Sequence, residues 1–188
     1  MSFARSYIRV VDTVNYRIGR VMMYGIFVMG GILLWSSISK TFFDPTLWTL
    51  EMAQFAMVTY YIMGGPYSIQ LGSNVRMDLF YAEWSDRRKA QVDAITVFLL
   101  LFYLGVLLYG GLGSLSYSLG HFKGEPFQFY LNLLTGSEEI GRLERSATAW
   151  RPQIWPIKLI MCVGVFLMLL QAISELMKDL IKIKGGTI

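Results

Sequence analysis

The sequence predicts an all-α integral membrane protein with four transmembrane helices, both termini cytoplasmic and an N-terminal amphipathic surface helix, all in a single membrane domain over residues 1–188. Three observations lead there. The chain is 54% hydrophobic and 16% charged, with mean hydropathy +0.46, whereas soluble domains carry about 25% charged residues. Uncharged stretches of about 18 residues or more, enough to cross a bilayer as helix, recur along it. Basic residues collect on one side of those stretches.

Taken in order, residues 1–20 place Phe3, Tyr7, Val10, Val14 and Ile18 at helical spacing, with Arg5, Arg9, Asp12 and Arg17 between them. That pattern describes a helix lying on the inner membrane surface. No apolar stretch with a small-residue cleavage site follows Met1, so a cleaved leader is not expected. The first span covers residues 21–38 and the second 52–69. Near the inner end of the second, Gly64, Gly65 and Pro66 predict a kink or unwinding, because proline lacks an amide donor and clashes with the preceding turn. The third span, 94–119, would be about 40 Å long, so it must tilt or project beyond the hydrocarbon. Asp86 is a candidate cap ahead of it. The fourth, 154–176, is bracketed by Lys158 and Glu175, close enough to its ends for long side chains to reach the interface.

Orientation follows from the bases. Arg5, Arg9, Arg17, Arg20, Arg76, Arg87, Arg88, Lys89, Lys178, Lys182 and Lys184 fall on one side of the four spans. Lys40, Lys123, Arg142, Arg145, Arg151 and Lys158 fall on the other, where Glu125, Glu138, Glu139 and Glu144 offset the long loop 120–151. The first side is therefore cytoplasmic. All five tryptophans lie at or just outside span ends, where indole favours the headgroup region.

Several chemistries are excluded at this stage. One cysteine, Cys162, and one histidine, His121, leave neither a disulfide framework nor a His/Cys metal or bis-histidine haem site. There is no phosphate-binding loop, no nucleophile elbow and no basic stripe for nucleic acid. No catalytic, cofactor-binding or metal-ligating residue is assigned, and the spans hold almost no ionisable group to relay a proton or hold a cation.

The candidate residues are therefore structural or interfacial. Glu51 opens the second span, either as a dipole cap or as a polar contact to a partner subunit. Asn74, Arg76 and Asp78 form a polar knot before an aromatic interfacial stretch that includes Tyr81 and Trp84. Gly110, Ser114 and Ser118 recur every fourth residue, a small-residue stripe that admits a neighbouring helix. In the outer loop, Phe127 to Leu134 is apolar enough to rest on the membrane or a partner, and a loop of this length without evident structure points to a docking surface.

Three stretches carry a family resemblance. They are Trp48 and Glu51 with Gly64-Gly65, then Asn74-Val75-Arg76-Met77-Asp78-Leu79-Phe80-Tyr81 followed by Ser85, Arg87 and Asp93, and finally Trp155-Pro156-Ile157-Lys158 with Gly164, Leu170 and Gln171. In order and spacing they resemble the small membrane subunit of tripartite ATP-independent periplasmic (TRAP) transporters, the DctQ-like proteins. Asn74 stands where that family carries histidine, so no role resting on imidazole ionisation carries over. The resemblance implies a non-catalytic scaffold in the bacterial inner membrane beside a large DctM-like membrane subunit. A periplasmic substrate-binding protein would deliver organic acids, with no cofactor in this chain and sodium coupling in the large subunit. A haem-free membrane anchor of a quinone-linked oxidoreductase and a small self-assembling transporter are the alternatives. His121 lies outside the spans, so only the haem-free form of the first remains, and the intramembrane polar residues that the second requires are missing.

Overall fold

The computed structural model describes residues 2–72, 84–122 and 124–183. They form six helices: α1 (Ser2–Met22), α2 (Gly25–Phe42), α3 (Thr49–Gln70), α4 (Asp86–Ser118), α5 (Pro126–Leu134) and α6 (Trp155–Ile183). Among the described residues there is no strand, only an isolated bridge between Arg145 and Gln153.

Three helical stretches are long and apolar enough to cross a membrane: Ala4–Phe42, in which α1 runs almost directly into α2, then Gln91–Ser118 and Trp155–Ile183. The stretch expected as a second span, α3, falls short of that hydropathy. Glu51, Gln54, Gly64, Gly65, Pro66, Ser68 and Gln70 dilute its apolar content. With 22 residues it is still about 33 Å long, and its polar groups are tolerated because α1, α2 and α6 all pack against it.

The helices form an open row instead of a closed bundle. The extensive contacts run α2 to α3, α3 to α6 and α6 to α4, with α1 laid across α3 and α6. Two close approaches fix the row. A Cβ added at Gly164 in α6 would meet the side chain of Ile62 and come within 3.0 Å of its carbonyl oxygen, so only glycine admits this crossing. At the α4–α6 crossing Gly111 lies 3.2 Å, by the same measure, from Cys162 Sγ. Of the expected small-residue stripe, Gly110 is exposed and meets nothing within 4 Å, and the neighbouring Gly111 makes the close approach in its place. An apolar layer of Leu104, Val165 and Ala172 closes the α4–α6 seam.

Other expectations shift for local reasons. α3 stays helical through buried Pro66, with no unwinding. α4 begins at Asp86, earlier than the apolar run alone indicates, and Ser85 takes the N-cap position in place of Asp86. α6 continues to Ile183, because its charged last turns pair along the helix, Lys178 with Glu175 and Lys182 with Asp179. The outer loop contains α5, begun by a proline at its first turn and anchored by Phe129, which is 1% exposed.

The amphipathic helix has two apolar stripes where the sequence displays one. Val10 and Val14 remain exposed, as a membrane-facing stripe requires, while Ile8, Val11, Asn15 and Gly19 are buried. The second stripe escapes a hydropathy reading because asparagine and glycine interrupt it. We expect Gly164→Leu to destabilise the protein by about 2 kcal/mol through overpacking, whereas Gly110→Leu leaves it unchanged. Thermal unfolding in detergent separates the two outcomes.

Candidate functional site

Polar side chains concentrate at the two ends of α6. Toward its C-terminal end Gln171 and Ser174, both fully buried, face α1. Gln171 Nε2 donates to Asp12 Oδ1 at 3.0 Å and to Glu175 Oε1 at 2.9 Å. Ser174 Oγ donates to the same Asp12 oxygen at 3.0 Å. Lys178 Nζ bridges Asp12 Oδ2 and Glu175 Oε1, each at 2.7 Å. Asn15 Nδ2 donates to Gln171 Oε1 at 2.7 Å, and Gln70 Nε2 of α3 donates to the Asp12 carbonyl at 3.2 Å. Asp12 thus ties three helices together, its carboxylate holding α1 to α6 and its backbone carbonyl holding α1 to α3.

The N-terminal end of α6 is built around Lys158 and, across the loop, Glu51. Lys158 Nζ donates to Glu144 Oε2 at 2.7 Å and to the Ser114 carbonyl at 3.2 Å. Ser118 Oγ donates to the same Glu144 oxygen at 2.6 Å. These bonds, the one from Lys158 foremost, hold the Glu144 carboxyl below its ordinary range against a smaller opposing effect of burial. Glu51 is buried, and its Oε1 accepts from Ser146 Oγ at 3.0 Å and from Thr148 Oγ1. Both donors lie in the segment after α5, not among the backbone amides of the α3 first turn, so Glu51 clasps that segment to the helix. Behind it, hydroxyls of Thr46, Thr49 and Ser36 join α2 to α3.

α5 is seated by Tyr130, whose hydroxyl donates to the Leu112 carbonyl of α4 at 2.8 Å. Burial, with a smaller push from Cys162, raises that phenol to about 12, so it remains a donor at neutral pH. His121 sits nearby with Nδ1 3.0 Å from Glu138 Oε1 and its ring against Phe129.

Of the residues singled out in the sequence, Ser114, Ser118 and Lys158 come together around Glu144, and Glu51 is joined to the same loop at Ser146 and Thr148. Trp155 donates from Nε1 to Gln153 Oε1 at 2.8 Å beside them. Gly110 faces outward. Asn74, Arg76, Asp78 and Tyr81 lie outside the described residues. Sequence reasoning missed the inner junction. Its signal was the helical spacing of Gln171, Ser174, Glu175 and Lys178 in α6, matched by Asp12 and Asn15 in α1.

Residues 29–182 match the family described as Tripartite ATP-independent periplasmic transporters, DctQ component. The chain belongs to the DctQ family. The match covers α3, α4, α5, most of α2 and nearly all of α6, so both polar ends of α6 lie inside it. No curated protein and no solved structure matches the chain. A DctQ chain is a small membrane subunit of a transporter, which favours the transporter reading over the redox anchor.

Two outcomes test the site. The pairing of Glu144 contributes stability above the ordinary carboxylate range, and that contribution is lost as pH falls through its depressed folded-state value. Glu144→Gln is therefore expected to melt earlier than wild type at neutral pH, by about 1 kcal/mol, with the gap closing in acid. At the inner end Asp12→Ala is expected to cost about 3 kcal/mol, because Lys178 loses a partner in a poorly hydrated setting. Lys178→Met added to it is expected to recover part of that loss, read as a non-additive double-mutant cycle of melting curves.

Proposed function

We propose that this chain is the fixed, non-catalytic scaffold subunit of a TRAP-type secondary transporter in the bacterial inner membrane. It works beside a large DctM-like membrane subunit and a periplasmic substrate-binding protein to import organic acids on a sodium gradient. The single observation that carries the reading is the family match over residues 29–182.

The architecture agrees with it. An open row leaves the outer faces of α2 and α4 bare, with Phe27, Leu34, Phe98 and Phe102 exposed. Such surface suits lipid and a membrane partner. On this reading α2, α3, α4 and α6 all cross the bilayer and both termini are cytoplasmic, which puts α5 and the Glu51 clasp in the periplasm. α3 crosses despite its low hydropathy because neighbouring helices shield it. The stretch from Leu159 to Leu170 carries no acidic, basic or histidine side chain, so on this reading ion coupling belongs to the large subunit. Gly64-Gly65-Pro66, within a continuous helix, fits a packing role.

The test is to purify the tagged full chain from its native membrane in mild detergent and identify by mass spectrometry what accompanies it. A many-helix membrane protein in about equal amount is the expected result. Recovery with a redox subunit, or as a homo-oligomer alone, would overturn the reading.

A further inference from the structure

Segment 119–154 joins two helices that are long and apolar enough to cross a membrane, so it meets the bilayer at one face, whichever way the chain is oriented. Its described residues carry exposed apolar side chains along their length, among them Phe122, Phe127, Leu131, Ile140 and Trp150. Next to a membrane face such groups enter the headgroup layer. The part after α5 is held as a platform over the C-terminal end of α4. Gly141 N donates to the Leu119 carbonyl at 2.9 Å and Glu144 N to the Ser118 carbonyl at 3.0 Å. Gly120, at φ +92°, allows the approach, since a Cβ there would lie 2.7 Å from the backbone of Gly141 and Arg142. The chain then doubles back, with Ser146 N donating to the Pro152 carbonyl at 2.9 Å.

This fold-back surrounds a cleft of about 920 Å³ with Arg142, Arg145 and Arg151, over a floor formed by Tyr117 and Phe122. The two aromatic rings pack edge to face, 5.0 Å apart, and both are exposed. Two acids that the sequence sets against these bases are engaged elsewhere. Glu144 receives Lys158 and Ser118, and Glu138 receives His121 and Asn132. Among the described residues, none of the three guanidinium groups has an ion-pair partner. Arg151 is also the one described non-glycine residue in the left-handed region, at φ +52°. A side-chain-bearing residue adopts that conformation at a cost, and backbone held there is a mark of functional sites.

We propose that this cleft holds the phosphate headgroup of an anionic phospholipid of the surrounding membrane. Guanidinium groups match phosphate in charge and in paired hydrogen-bond geometry, and basic pockets beside membrane helices recognise anionic headgroups. Three guanidinium groups without internal counter-charge, at the depth where phosphates lie, are neutralised by an anionic lipid and left in excess by a zwitterionic one. The exposed rings of Tyr117 and Phe122 offer an apolar floor to the glycerol ester region beneath the phosphate. The apolar rim of the segment and its place between two spans favour lipid over the acidic face of a water-borne protein. A lipid held here fixes the depth of the platform, and with it the Glu51 and Glu144 contacts that tie the platform to α3 and α6. The inference goes beyond the scaffold reading, since it makes anionic lipid a structural component of this chain whatever the complex carries.

The experiment is native mass spectrometry of the delipidated full chain in detergent, titrated with phosphatidylglycerol and, separately, with phosphatidylcholine of the same acyl chains. Saturable binding of phosphatidylglycerol, about tenfold tighter than phosphatidylcholine, is expected, the effect of one charge-assisted pair. Arg151→Gly is the decisive variant, because glycine accepts the left-handed backbone while the charge is lost. Its melting temperature without added lipid is expected to equal or exceed that of wild type, while phosphatidylglycerol affinity falls about tenfold. Arg142→Gln is expected to weaken the lipid similarly, and Arg17→Gln, which removes an exposed base of α1, to leave it unchanged. The proposal is overturned by equal affinity for the two lipids, by unchanged affinity in both cleft variants, or by an equal loss in Arg17→Gln. It is also overturned if inorganic phosphate or glycerol 3-phosphate displaces the lipid at equal concentration, or if polyglutamate binds and neither lipid is preferred. Each of these results leaves recovery of the large subunit untouched, so failure of the site and failure of the transporter reading are told apart.

Discussion

The Asp12–Lys178 pair is the interaction on which the rest of the arrangement depends, because it decides where α1 lies. A carboxylate and an ammonium removed from water are costly unless each finds a partner and further hydrogen bonds. Here Asp12 receives Lys178, Gln171 and Ser174 together. With that carboxylate satisfied only against α6, α1 cannot lie freely along the membrane surface. Its buried stripe of Ile8, Val11 and Asn15 is pressed on α3 and α6, while Val10 and Val14 are left to the lipid.

The same reasoning explains why α6 is the central element. Lipid tails are as apolar as leucine, so membrane helices associate by close packing and polar contacts, not by the hydrophobic effect. α6 supplies both. Gly164 lets α3 approach its backbone, Cys162 and Val165 fit against α4, and its two ends carry Lys158 and the Gln171 to Lys178 cluster. α2 has little of this. It is held to α3 mainly by the hydroxyls of Ser36 and Thr49 and by Gly25 beneath Tyr60, and so it sits at one edge of the row with most of its surface bare.

How much of this the sequence discloses follows from what each signal encodes. Hydropathy reports where a helix is apolar, and so the long helices were legible, as was the family from Trp48, Glu51 and the Trp155 region. It reports poorly where charge continues a helix, and α4 and α6 therefore extend past their apolar runs. Pairing across the chain is not encoded locally. Asp12 and Lys178 read separately as a surface acid and an orientation-setting base, and only the fold brings them to 2.7 Å. Glu51 was legible as a dipole cap or as a polar contact to a partner subunit, whereas its contacts here are to Ser146 and Thr148 of the same chain, common loop residues with no marking of their own. The stripe at Gly110, Ser114 and Ser118 shows the limit of spacing arguments. Ser118 turns to Glu144 and Gly110 turns outward, and Gly111 makes the close approach.

The distribution of polarity along α6 bears on how such a subunit can work. Both ends are cross-linked by charged hydrogen bonds, while the stretch from Leu159 to Leu170 between them has no acidic, basic or histidine side chain. A helix clamped at two ends and packed through glycine in its middle has little freedom to slide, since any displacement breaks several charged contacts at once. Movement of cargo across the membrane needs an element with two comparably stable positions. The clamps on α6 work against such an element here, and this agrees with the fixed scaffold role proposed for the chain.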